Sequence, residues 1–262
     1  MLPALLHYQR FIWTRAMADL RHRYAGTGLG LVWNVVHPLA MIAIYSVIFT
    51  TIMPAPKLEG IDSSFAYTLY LCSGLLPWLA LAECVTRGTG AFIDNGPYLK
   101  KLPVPEQVFV AQSAASATLG LLVSFSLLII ISLALGLQPT WTWLLLPIPL
   151  AAMQIFGFGV GLVLGTLNVF LRDVGQLLTI GLQVAMWTVP IVYVADYLPA
   201  WLRGVMMFHP LMPILSAIRE LFLYGTVPGA TTWLLMAGWS LIAVILGAAV
   251  FSRLRTEIRD VL

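Results

Sequence analysis

The sequence of residues 107–171, QVFVAQSAASATLGLLVSFSLLIIISLALGLQPTWTWLLLPIPLAAMQIFGFGVGLVLGTLNVFL, decides the fold. Between Glu106 and Arg172 it runs for 65 residues without one Lys, Arg, Asp or Glu. A helix rises about 1.5 Å per residue, so the stretch is too long for one crossing of a hydrocarbon core about 30 Å thick and suits two crossings of about 20 residues. Gly136 and Pro139, near its middle, supply the turn between the two crossings.

The composition of the whole chain also indicates a membrane protein. Of its 262 residues, 60% are hydrophobic and 10% are charged, which excludes a soluble globular or a disordered chain. No linker separates a soluble module, so we expect one transmembrane domain over residues 1–262. The formal net charge is +3, but the basic residues stand at the edges of apolar stretches, so we expect no nucleic-acid partner.

The apolar stretches predict an all-α integral membrane protein with six transmembrane helices. These spans are residues 31–53, 64–83, 107–135, 142–167, 174–195 and 230–251. An even number of crossings places both termini on one side, and that side then carries eleven Lys and Arg residues against three on the other, which are Lys57, Arg203 and Arg219. The positive-inside rule therefore predicts cytoplasmic termini.

Two further segments are predicted to be helical without crossing. Residues 1–24 place apolar residues on one helical face and most of the basic ones off it, as in an amphipathic helix at the cytoplasmic membrane interface; an ordinary helix packed on the bundle is the alternative. Residues 196–229 are interrupted by four prolines into pieces too short to cross. We expect two short external helices there, re-entrant into the outer leaflet.

The predicted spans lack the residues that would drive transport. Titratable residues near the bilayer midplane are typical of ion-coupled transporters, and none is placed there; unwound helices that bind ions through carbonyls remain an alternative. The phosphate-binding pattern GxxxxGK[ST] is also absent from the chain. Energy for transport must therefore come from another subunit.

Catalysis has equally little support in the sequence. Glu59 and Asp62 could act as paired carboxylates on a lipid-linked sugar, although a solvated pair in an outer loop is the simpler interpretation. The four His residues show no metal-binding spacing. We expect no catalytic residue, no metal and no cofactor in this chain.

An ordered series of motifs carries a family resemblance over almost the whole chain. The motifs are RYAGTGLGLVW at residues 23–33, GLLPW at 74–78, LKK at 99–101 within the segment 95–105, NVFLRD at 168–173, and PIVY at 190–193. In order and spacing they resemble the membrane subunits of ATP-binding-cassette exporters for lipid-linked polysaccharide, the O-antigen and teichoic-acid permeases.

The resemblance implies a homodimer of six-span subunits above two cytoplasmic ATPase subunits, which bind ATP and Mg²⁺. Its cargo would be a lipid-linked polysaccharide such as O-antigen, capsule or teichoic acid. Two alternatives stay open: the permease of a small-molecule or drug exporter, and an integral-membrane transferase acting on polyprenyl-linked sugars.

The resemblance also places a coupling helix within residues 87–105. Pro97 and Pro103 bound a short rigid piece there, which could transmit the motion of a partner subunit. The candidate coupling residues are Tyr98, Leu99, Lys100 and Lys101. The alternative is that the two lysines only follow the positive-inside rule and contact lipid phosphate.

Aromatic residues mark two spans as a candidate channel lining. Tyr45 and Phe49 share a face of the first span, and Tyr67, Tyr70 and Trp78 form a stripe with Gly74 on the second. Aromatic rings pack on the apolar faces of sugars, and tyrosine hydroxyls can replace water as hydrogen-bond partners of sugar hydroxyls. Interfacial anchoring is the alternative.

The external segment and the fourth span complete the candidate sites. An apolar lid that keeps ions out between transport cycles is predicted for Trp201, Phe208, Leu211 and Ile214, with simple surface docking as the alternative. Gly157, Gly161 and Gly165 are spaced by four residues and form a ridge on which another helix can pack closely.

Overall fold

The computed structural model describes residues 1–23, 26–52, 64–101, 103–194, 199–206 and 208–261, and all regular structure within them is helical. Lys57, Glu59 and Asp62 lie outside the described residues. The α-helices are α1 (Leu2–His7), α2 (Gln9–His22), α3 (Trp33–Val47), α4 (Ala66–Asp94), α5 (Gly96–Lys101), α6 (Gln107–Ala134), α7 (Pro147–Phe170), α8 (Asp173–Thr188), α9 (Ala200–Met206), α10 (Met212–Arg219) and α11 (Ala230–Val261).

Within the described residues, five helical stretches are long and apolar enough to cross a membrane. They are Gly30–Ile52, Ala66–Asp94, Gln107–Ala134, Trp141–Phe170 and Ala230–Ile258. The first joins a 3₁₀ turn, α3 and a turn of π-helix, and the fourth begins with a 3₁₀ turn before α7. The prediction of an all-α membrane protein is confirmed.

The predicted span at 174–195 differs from the other five because its helix is short. Helix α8 has 16 residues and ends at Thr188, where Val189 adopts an extended conformation (φ −116°, ψ 138°). The cause is Pro190, which disfavours helical geometry in the residue before it. At about 1.5 Å per residue α8 spans about 24 Å, so an unwound segment, residues 189–194, completes this part of the chain.

Two helices extend well beyond the apolar stretches that predicted them. Helix α4 continues from the predicted boundary at residue 83 to Asp94, because no proline interrupts the chain until Pro97. Glu83 and Arg87 therefore lie on the same helix, and the coupling segment is reduced to the six residues of α5. Helix α11 likewise continues from residue 251 to Val261.

Helix α4 occupies the centre of the bundle. It packs against α6 and α7, with α11 on the other side of α7 and α2 against α6. In its most apolar window 83% of the residues are buried, against 11% in the first span, which is peripheral in the single chain. Helices α2 and α5 and the C-terminal part of α11 meet at one end of the bundle, called here the α5 end, and the opposite end, which carries α9 and α10, is called the α10 end.

The glycine ridge of α7 packs on α4 in the same chain. A Cβ on Gly161 would lie 3.3 Å from the Cα of Gly88, and one on Gly165 would lie 2.5 Å from the Gly88 carbonyl oxygen. Gly157 faces Leu81 and Cys84 of α4. These glycines bring the two backbones together, since larger residues would hold the helices apart.

Candidate coupling and translocation sites

Helix α5 is fixed to the bundle on one face and exposed on the other. Leu99 is 2% exposed and packs in an apolar cluster with Ile12, Phe92 and Val104, whereas Tyr98, Lys100 and Lys101 point outward. The four candidate coupling residues thus divide into one anchor and three surface residues, as a rigid docking element requires.

A cleft of about 670 Å³ opens beside α5. Lys100 and Lys101 line it together with Arg172, which directly precedes α8, and its apolar wall includes Val169 and Phe170. The three cations make the cleft attractive to carboxylate or phosphate groups. Helix α5 and the α7–α8 turn therefore form one continuous basic surface.

The amphipathic helix α2 is joined to α5 by side-chain contacts. The guanidinium carbon of Arg15 lies 5.3 Å from the centre of the Tyr98 ring. The hydroxyl of Tyr8 donates a hydrogen bond to the carbonyl of Pro103, at 3.3 Å. A displacement of α5 would therefore also displace α2.

At its other end α2 joins the transmembrane helices through a charged network. Arg87 bonds Asp19 at 2.6 Å and Glu83 at 3.2 Å, and Arg23 pairs with Glu83. Ser116 of α6 donates a hydrogen bond to Asp19. Partial burial acts to raise the pKa of Asp19, but the hydrogen bonds from Ser116 and Arg87 outweigh it, so the pKa is lowered from its usual value.

The sequence gives little sign of this network. Its members come from α2, α4 and α6, and the pair of Arg23 and Glu83 is separated by 60 residues along the chain. Arg23 and Glu83 also line a cavity of about 160 Å³ beside the first span, together with Asn34 and His37.

The candidate channel aromatics form one continuous array at the α10 end. The rings of Tyr45 and Phe49 are stacked with centres 6.3 Å apart, Phe49 meets Tyr67 edge-on at 4.6 Å, and Tyr67 stacks on Tyr70 at 6.1 Å. Tyr45 and Phe49 are partly buried, whereas Tyr67 and Tyr70 are 6% and 5% exposed. The array therefore crosses from the periphery of the single chain into its core.

Trp78 stands apart from this array. It lies two turns beyond Tyr70 on α4 and is 3% exposed in the apolar core. In the single chain it is a core residue, and a lining role would require the core around it to open.

The array ends at a buried cation, Arg219, which the charge count assigns to the external loops. Arg219, at the end of α10, is 6% exposed. One of its terminal nitrogens donates to the Tyr70 hydroxyl at 2.8 Å and the other to the Ile191 carbonyl at 3.3 Å, and its guanidinium carbon lies 3.6 Å from the centre of the Tyr70 ring. Arg219 therefore lies at the end of a short helix and is buried in the protein, whereas the charge count treats it as a loop residue.

The four candidate lid residues are not brought together. Trp201 and Phe208 are 72% and 67% exposed, whereas Leu211 and Ile214 are 4% and 0% exposed in the core. The first two can still meet lipid or a second subunit, and the other two hold α10 in place.

The described residues contain no group of three or more His, Cys, Asp and Glu side chains that could hold a metal ion.

Comparison with known proteins agrees with this architecture. The chain is 29% identical to an O-antigen export system permease protein RfbA of Klebsiella pneumoniae over 246 residues. The alignment covers 93% of this chain and 92% of that protein. A protein of the same description from Myxococcus xanthus is 22% identical, over 98% of this chain and 96% of that one. The polysialic acid transport protein KpsM of Escherichia coli is 21% identical, over 92% of each.

The profile of the ABC-2 type transporter family matches residues 10–223, which include α2 to α10 and the sites described above. This chain belongs to the ABC-2 type transporter membrane family.

Proposed function

We propose that this chain is the membrane-spanning subunit of an ATP-driven exporter that moves lipid-linked polysaccharide across a bacterial inner membrane. The observation that carries the proposal is that relatives covered over 92% or more of their length are named for O-antigen export or for polysialic acid transport. O-antigen, capsule and teichoic acid remain the candidate cargoes. ATP and Mg²⁺ are bound by a separate cytoplasmic ATPase subunit, present in two copies.

A homodimer is supported by the faces that the single chain leaves exposed. The first span has few buried residues, and α8 has none. Their outward apolar side chains include Ile44, Val47, Leu177, Ile180 and Val184, each more than half exposed. Tyr45 and Phe49 face α4 and not this exposed surface, so the proposed path, in which a saccharide chain passes over aromatic rings without a deep binding well, runs between the first span and α4.

The coupling role of α5 is supported by its rigid seat and outward charges. Leu99 anchors the helix, while Lys100 and Lys101 face the basic cleft with Arg172. Carboxylates of an ATPase subunit would dock on these cations, and the contacts of α5 with α2 would pass the motion on. This arrangement assumes that the α5 end and both termini face the cytoplasm.

The proposal is tested with the chain and its ATPase in proteoliposomes. The chain alone is expected to move nothing uphill, and the complex is expected to export lipid-linked polysaccharide only with ATP. The double variant Lys100→Glu, Lys101→Glu should keep ATP hydrolysis but lose export. Its control is Arg253→Glu, Arg255→Glu, which makes the same charge change on exposed positions of α11.

Uphill transport by the chain alone would refute the dependence on an ATPase. Export by the lysine variant at the level of the control would refute the coupling role of α5 and leave the exporter function standing.

A further inference from the structure

Residues 189–194 cross part of the α10 end without helical hydrogen bonds. Backbone groups in a hydrocarbon environment need partners inside the protein, because no water is present to serve them. Here three successive carbonyls receive side chains: Ile191 from Arg219, Val192 from Tyr67 and Tyr193 from Tyr70. The carbonyls of the unwound segment are therefore satisfied by side chains of α4 and α10 rather than by helical hydrogen bonds.

Arg219 stands at the centre of this fastening. Its guanidinium bonds both α4, through Tyr70, and the unwound segment, through Ile191. A Cβ on Gly74 would lie 2.8 Å from one of its terminal nitrogens, so the glycine leaves the space that the guanidinium fills. The planar fork of an arginine can serve two acceptors and a ring face at once, which a lysine cannot do.

Among the residues that the structure describes, no carboxylate pairs with the charge of Arg219. The ion pairs found among the described residues all lie near the α5 end, and the Nε of Arg219 has no partner among those residues. Burying an unpaired charge destabilises the folded state, whereas apolar packing would hold the helices together without this loss of free energy. A role in transport explains this charge better than a role in stability alone.

The other side of α10 is fastened independently. Thr142 donates a hydrogen bond to the Leu221 carbonyl at 2.7 Å, and the indole of Trp143 donates to the Phe222 carbonyl at 3.0 Å. The π-helical turn after α10 is thus held on the 3₁₀ turn that precedes α7. The bonds of Arg219 can therefore break without releasing α10 itself.

We propose that Arg219 is a positioning residue that latches the unwound segment 189–194 against α4 and α10 and so closes the pathway at the α10 end between transport cycles. The latch rests on the proposed export function. Opening breaks the bonds of Arg219 to Ile191 and Tyr70 together, and closure restores them.

The test compares resting potassium flux in proteoliposomes that contain the purified chain with its ATPase and no ATP. Arg219→Gln removes both the charge and the planar guanidinium group. Arg219→Lys keeps the charge but lacks the planar group that can donate to two acceptors. Tyr70→Phe removes the hydroxyl and keeps the ring under the guanidinium. The matched control is Tyr193→Phe, which also removes one tyrosine hydroxyl. The Tyr193 hydroxyl donates a hydrogen bond to the Trp187 carbonyl of α8, at 3.0 Å, and so joins the segment to its own helix and not to α4 or α10.

We expect both Arg219 variants to raise the flux about ten- to hundredfold, since one charged hydrogen bond shifts an equilibrium by that factor. Tyr70→Phe should raise it less, and Tyr193→Phe should match the wild type. If the Arg219 variants do not fold, the comparison of Tyr70→Phe with Tyr193→Phe decides alone.

Three results would overturn the latch. One is wild-type flux in folded Arg219→Gln or, where that variant does not fold, in Tyr70→Phe. Another is equal flux in Tyr70→Phe and Tyr193→Phe. The third is a raised potassium flux in Arg219→Gln together with wild-type flux in Arg219→Lys. That result would show that the residue acts as an electrostatic barrier. A wild-type complex that fails to export but leaks on mutation would refute the export function and not the latch.

Discussion

Substitution of Gly165 by alanine tests the contact on which the centre of the bundle depends. The added Cβ would lie 2.5 Å from the carbonyl oxygen of Gly88, whereas ordinary contacts are 3.4 Å or longer. The obstacle is backbone and not a flexible side chain, so α4 and α7 must separate by about 0.9 Å. Overpacking of this kind costs about 1–3 kcal/mol.

Two other alanine substitutions calibrate the effect. At Gly161 the new Cβ would lie 3.3 Å from the Cα of Gly88, which requires only a small adjustment, and at Gly238 of α11 it would meet nothing within 4 Å. Gly238→Ala gains up to about 1 kcal/mol because alanine favours helices more than glycine does. The expected order of stability is therefore Gly238→Ala, then Gly161→Ala, then Gly165→Ala.

The assay is the fraction of monodisperse protein that survives heating in detergent. A change of 1 kcal/mol shifts the midpoint by about 2–4 °C in chains of roughly this size. Gly165→Ala should therefore melt about 2–12 °C below the wild type, with Gly238→Ala at or slightly above it. A melting temperature for Gly165→Ala equal to that of Gly238→Ala would show that the two helices are not held at the observed separation.

Two further predictions concern the aromatic array and the charged network. Replacing Tyr45 and Phe49 by Ala should lower surface polysaccharide several-fold at unchanged protein level, and normal export would count against a lining role. Arg87→Met should lower the free energy of unfolding by about 1–2 kcal/mol at pH 7, because Asp19 loses its pairing with the guanidinium. This value lies between those of buried and exposed charged hydrogen bonds. The pKa of Asp19 is lowered in the folded state, so its contribution is present above about 3.8 and is lost as the pH falls through the lower folded value. The difference in melting temperature should therefore shrink below pH 3.8, and a gap independent of pH would contradict this role of Asp19.

The features that the sequence predicts well depend on local composition. Five of the six spans appear where charge-free stretches place them, because helix length and apolarity are properties of the stretch itself. In the same way, the described part of the proline-interrupted residues 196–229 contains the short helices α9 and α10.

Apolar length was a poor guide to where helices end. Helix α4 passes beyond its apolar part because backbone hydrogen bonding does not require lipid, and it ends at Asp94, shortly before Pro97, the first proline after Pro77. The end of α8 could have been predicted, since Pro190 directly follows Val189. In both cases the position of proline was more informative than hydropathy.

The burial of Arg219 depends on residues far away in the chain. Its hydrogen-bond partners, Tyr70 and Ile191, are separated from it by 149 and 28 positions, and no local pattern specifies such contacts. An arginine between two prolines in an external segment is expected in water, yet the unwound backbone at 189–194 supplies an acceptor inside the protein. The positive-inside rule acts while the chain inserts, before α10 packs against α4, so the burial of Arg219 does not change the count of eleven Lys and Arg residues against three on which the predicted orientation depends.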